Sequence, residues 1–160
     1  MTVFTIGYEG LDIGTFMSAL ENNGVKTVID VRELPLSRKR GFSKKALARS
    51  LNFSGYGYIH MAELGCPKPV RHRFRADGDW ERYIDSYLEH LRFQQADVTQ
   101  LAELIRSVSC ALLCYEADHN LCHRSIVANA VAELCGARIR HINAGEFRTK
   151  TSAPHRDVFA

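Results

Sequence analysis

Residues 111–128 read ALLCYEADHNLCHRSIVA and crowd several reactive side chains into a short span. An apolar run ends in Cys114 and Glu116; a thiol, an imidazole and a guanidinium then follow in succession at Cys122, His123 and Arg124. A thiol with such neighbours at a helix start loses its proton more readily, which makes Cys122 a candidate thiolate; a half-buried structural thiol is the competing reading. Glu116, at the end of an apolar stretch, is a candidate general base, general acid or nucleophile, against the plainer role of a salt bridge to Arg124 or Arg32. Arg124 in the first turn of a helix opposes the helix dipole, and an anionic ligand would resolve that conflict. Cys122 and Arg124 stand too close together for one loop to wrap a phosphate between them. Cys114, His119, Cys122 and His123 offer soft ligands, but the C-x7-C-H spacing lacks a paired CxxC knuckle, so no metal is expected. A thiol or metal centre on Cys114 and Cys122 stays open as an alternative.

A second group of reactive residues lies upstream. Asp30 and Arg32 sit in DVRELPLSRKRGF, where Pro35 stiffens the approach to Arg38. Tyr8 follows the first apolar run and His60 ends the segment YGYIH. Each has a plain role in packing or pairing when taken alone. Their common position, at the ends of apolar segments, is what joins them.

Those segments alternate in type. Residues 3–7 form a short buried strand stopped by Gly7, followed by a helix to the Asn22-Asn23-Gly24 stop, and 26–31 (KTVIDV) form a second strand. Residues 32–42 read as a loop and Ser43 as the N-cap of KKALARSL. Residues 56–60 are a third strand, and 61–78, with two prolines among basic residues, read as a long irregular loop. Residues 79–107 carry helical periodicity with a break near Ala96-Asp97. Residues 110–115 form the most apolar strand, 121–134 a helix capped by Gly136, and 138–142 a fifth strand. The expected fold class is therefore α/β: one domain over 1–160, a three-layer, Rossmann-like sandwich with a mostly parallel sheet of about five strands, and a polar tail at 149–160. In such sheets ligands bind beyond the carboxyl ends of the strands, where Tyr8, Asp30, Arg32, His60, Cys114 and Glu116 all fall.

A net charge of +3 is too small for a general polyanion binder, though Lys and Arg gather in 32–45 and 68–75. The opening MTVFTIGYEG has no signal-peptide character, no run is long enough to cross a bilayer, and five cysteines in a chain of this size read as reduced thiols. The expected location is the cytoplasm, away from membranes.

TIGYEG, DVRELPLSRKRGF, YIHMAELG and LLCYEADHNLCHRSIVA resemble, in order and spacing, the bacterial and archaeal family known as domain of unknown function 488 (DUF488), from residue 4 to about 143. The resemblance implies an α/β fold and no settled reaction. The chain departs from that pattern at Cys66, where a second Gly would follow Leu64-Gly65 and a side chain narrows the loop. The residues point to an enzyme, a hydrolase or transferase, acting on a phosphate-bearing small molecule or nucleic acid. Tyr8, Arg32, Arg38, His60, His123 and Arg124 would bind it, with Glu116, Asp30 and Cys122 as catalytic candidates and the cofactor unknown. A non-catalytic nucleic-acid-binding module is the other alternative.

Overall fold

The computed structural model describes residues 1–143, so the polar tail lies outside the described residues. Five strands, β1 (Thr2–Gly7), β2 (Thr27–Asp30), β3 (Gly57–His60), β4 (Cys110–Cys114) and β5 (Arg138–Ile142), pair in the order β3-β2-β4-β1-β5. Every pairing is parallel. The expected α/β class and five-stranded sheet hold, with the sheet wholly parallel.

Burial on both faces explains the apolar character of the inner strands β1, β2 and β4. Neighbouring residues feed opposite cores: Val3, Ile29 and Leu112 enter one, Phe4, Val28 and Leu113 the other. The second core is closed by α1 (Ile13–Asn22) and α2 (Lys44–Phe53), through Phe16, Leu20, Leu47 and Leu51. The first is closed by α4 (Trp80–Arg92), α5 (Gln95–Ser107) and α6 (His123–Cys135), through Tyr87, Leu101, Val127 and Val131. This is the three-layer sandwich.

The segment expected as an irregular loop is largely ordered helix. A 3-10 turn at Ala62–Leu64 leads into α3 (Lys68–Asp77). Pro67 is its N-cap and Pro69 lies in the first turn, where no intrahelical N–H is missed, so these prolines start a helix that they would break further in. Val70 and Phe74, one turn apart, pack on the first core, with the Phe74 ring 5.2 Å from that of Tyr83. Gly78, at φ 64°, ends the helix. The break between α4 and α5 falls at Phe93-Gln94, slightly before Ala96-Asp97. At the last helix, a 3-10 turn at His119–Leu121 precedes α6, so Cys122 is its N-cap and His123 its first residue.

Among the described residues no helix is long and apolar enough to cross a membrane.

Candidate functional site

β1, β2 and β4 end side by side, Gly7 opposite Cys114 and Asp30 opposite Leu113. Beyond them the chain leaving β4 passes directly over Gly7, where an added Cβ would collide with the Glu116 carbonyl. On the other side Gly65 lies against the backbone of Glu33 in the same way, which brings the 3-10 turn onto the loop after β2. Glu33 then accepts from the backbone N–H of Lys68 (3.2 Å) and pairs with Arg71 (3.5 Å), fixing the start of α3. Between these segments opens a cleft of about 480 Å³, within the usual range for a small-molecule site.

Its inner wall is buried and internally bonded. The Asp30 carboxylate, wholly buried, accepts from Arg32 Nε (2.8 Å) and Nη2 (2.7 Å), from the Arg32 backbone N–H (3.2 Å) and from the Tyr58 hydroxyl (2.6 Å). Arg32 also donates to the Phe42 carbonyl (2.7 Å) and the Tyr8 hydroxyl (3.2 Å). Tyr8 stacks on Phe42 at 4.5 Å and meets Tyr115 edge-on at 5.3 Å. Tyr8 and Arg32 show one edge to the cleft; Asp30 lies beneath it. His60 also lies outside the lining, with its Nε2 on the Arg32 carbonyl (2.8 Å).

Arg124 is fully buried and is not part of the cleft's lining. It donates to Thr5 Oγ1 (3.2 Å), the Ala117 carbonyl (3.2 Å), the Glu116 carbonyl and Cys114 Sγ (3.1 Å), so it knots the loop after β4 to β1. That is where its conflict with the α6 dipole is settled: backbone carbonyls and a sulfur take the charge. Burial pulls it down to about 10, which leaves it charged at neutral pH.

Glu116 lines the cleft, its Oε2 3.2 Å from Cys114 Sγ. Burial raises its carboxyl above the ordinary value, against the lowering effects of its backbone hydrogen bond and of Arg124. His123 is buried, its Nε2 on the Val31 carbonyl (2.7 Å) and its Nδ1 3.8 Å from Cys122 Sγ. Burial takes it down to about 4, so it is neutral at pH 7. The structure joins the sulfurs of Cys114 and Cys122 as a disulfide pair, and the two sulfurs with His123 form a cluster whose potential ligand atoms lie within 4.8 Å of one another.

The outer wall was only partly legible in the sequence. Arg38 is exposed and lines the cleft as expected; Arg71 and Arg75 join it from α3, on one face at i, i+4 spacing. Arg71 donates to the Cys66 carbonyl, but Arg38 and Arg75 enter no ion pair among the described residues. The basic stretch was visible, but its periodicity was hidden by reading the prolines as breakers. Exposed Leu34, Leu36 and Tyr115 add an apolar flank. Cys66 is buried in the lining, its thiol pushed up to about 11 by burial, so an un-ionised sulfur stands there.

The family model described as domain of unknown function DUF488 matches residues 12–131. The chain belongs to that family. No curated protein and no solved structure matches it. For this DUF488 chain the site must therefore be argued from its own side chains. The match spans the outer-wall arginines, Glu116, and the cysteine and histidine cluster alike.

Proposed function

We propose that the cleft binds a phosphate-bearing small molecule of about nucleotide size, and that the protein is a hydrolase or transferase acting on it. The observation that carries this reading is the pair of guanidinium groups, Arg38 and Arg75, that line one cleft at the carboxyl ends of the strands and enter no ion pair among the described residues. Guanidinium forks match phosphate oxygens in pairs, and two of them flanking a concave site favour a polyanionic group over a single carboxylate. Leu34, Leu36 and Tyr115 supply an apolar flank for a base or similar moiety. Glu116 on the inner wall is the group placed to exchange a proton with the bound molecule, and Arg32 contributes a fixed positive edge. This differs from the expectation read off the sequence in which arginines meet phosphate: Arg38 and Arg75, with Arg71 beside them, in place of Arg124.

The enclosed size favours a mononucleotide or other phosphate ester over a duplex, and the reading assumes the reducing cytoplasm expected from the cysteines. Thermal unfolding followed with inorganic phosphate, nucleoside mono- and triphosphates and a short single-stranded oligonucleotide, each at two salt concentrations, tests it. Stabilisation by a nucleotide that disappears in Arg38→Ala/Arg75→Ala supports the reading. Stabilisation by none of them contradicts it. Stabilisation by the oligonucleotide alone, falling steeply with salt and unaffected by Glu116→Gln, replaces it with the non-catalytic nucleic-acid-binding module.

A further inference from the structure

The thiols of Cys114 and Cys122 converge from two separate elements, the end of β4 and the N-cap of α6, on the imidazole that opens α6. All three residues are buried, and Cys114 and His123 also reach the wall of the cleft. We propose that Cys114, Cys122 and His123 form a site for a divalent ion of the zinc class, with its fourth position turned toward the cleft.

Three observations support this assignment independently of the phosphate reading. The first is the histidine. The Val31 carbonyl can only accept, so Nε2 of neutral His123 carries the proton and Nδ1 presents a lone pair, on the side where Cys122 Sγ lies at 3.8 Å. A ring nitrogen anchored on a backbone carbonyl while the other faces a ligand cluster is the usual arrangement of a metal-bound histidine.

The second is the span of the cysteines. The structure joins their sulfurs, yet their Cα atoms are 7.8 Å apart, beyond the roughly 4.4–6.8 Å across which two cysteines bridge without moving backbone, so in the reduced protein the pair suits two separate ligands. An ion held at about 2.3 Å from each sulfur sets tetrahedral thiolates about 3.8 Å apart and so suits a wider span than a direct bond.

The third is charge. Arg124 is a fully buried cation with no carboxylate at ion-pair distance among the described residues, and its Nη1 donates to Cys114 Sγ at 3.1 Å. A sulfur that accepts from a buried guanidinium is set as an electron-pair donor, the part a metal ligand plays. Binding releases the two thiol protons to solvent and leaves every oxidation state unchanged. A donor set of two sulfurs and one imidazole nitrogen selects zinc over the hard cations, and three protein ligands leave a position for water or substrate.

The test is elemental analysis of full-length protein made without a metal-affinity step and kept anaerobic, followed by titration of the metal-free protein with cobalt(II). The expected result is one zinc per chain and a cobalt spectrum with sulfur-to-metal charge-transfer and tetrahedral ligand-field bands. Both should fall to background in Cys114→Ser and Cys122→Ser and persist in Cys66→Ser and Cys110→Ser, whose thiols are buried outside the cluster. Should the cluster variants fail to fold, release of zinc from the wild type by a thiol reagent, stoichiometric with loss of two thiols, is the equivalent result. Metal-free protein that gives no cobalt spectrum overturns the assignment, as does an anaerobic mass two hydrogens short through a Cys114–Cys122 disulfide. Neither result bears on Arg38 and Arg75, so the phosphate reading stands or falls separately.

Discussion

The two walls of the cleft hold the same kinds of side chain in opposite circumstances. On the inner wall Arg32, and behind it Arg124, are buried, and their N–H groups are engaged by Asp30, Tyr8, Thr5, Cys114 and backbone carbonyls. On the outer wall Arg38 and Arg75 are exposed and free of ion pairs among the described residues. An arginine cannot bind a ligand with donors that hold its own fold together, and a buried arginine cannot leave those donors idle. The inner arginines therefore build the cleft and the outer ones face whatever enters it.

The largest expected break in this comparison is at Asp30. Asp30→Ala strips Arg32 of its carboxylate inside the protein and should cost about 3–5 kcal/mol of stability in a denaturant titration, as removing one partner of a buried pair does. Arg124→Met comes next. It fits the space but frees the Glu116 and Ala117 carbonyls, so about 2–3 kcal/mol should be lost, with hydrogen exchange rising first in the loop after β4.

A smaller effect is set by pH at the far end of the Arg124 hydrogen bonds. Thr5 Oγ1 accepts from Arg124 and bonds His141 Nδ1 at 2.6 Å. Burial, with His119 and Arg124 nearby, lowers His141 from 6.5 to about 4. Between those two values the unfolded chain takes up a proton that the folded one refuses, so stability declines as pH falls from about 6.5 to 4 and this contribution then levels off. NMR titration of the His141 ring should show its midpoint well below that of a solvated histidine, and an ordinary midpoint would remove the effect. The smallest stability change belongs to the outer wall: Arg38→Ala and Arg75→Ala should each stay within about 0.5 kcal/mol of the wild type.

Much of the frame was open to reading from the chain. The apolar runs 3–7 and 110–115 are strands because burial on both faces demands it, and Gly136 ends α6 in the left-handed conformation expected of it. The place of the cleft followed from the strand ends. Which arginines face the cleft did not follow, because Arg32 and Arg124 differ from Arg38 and Arg75 only in what surrounds them in space. The helix carrying Arg71 and Arg75 was hidden for a local reason: prolines at its start were read as breaks. The convergence of Cys114, Cys122 and His123 was hidden too, since spacing along the chain shows no knuckle and only the turn of His119–Leu121 folds the two thiols together.

The central claim is that Arg38 and Arg75 on the outer wall, and not the buried arginines, meet phosphate. Calorimetric titration of the wild type and of Arg38→Ala/Arg75→Ala with the nucleotide that most stabilises the wild type tests it most directly. The account predicts saturable binding to the wild type, weakened at least about tenfold in the double variant at unchanged stability. Equal binding by both proteins would contradict it.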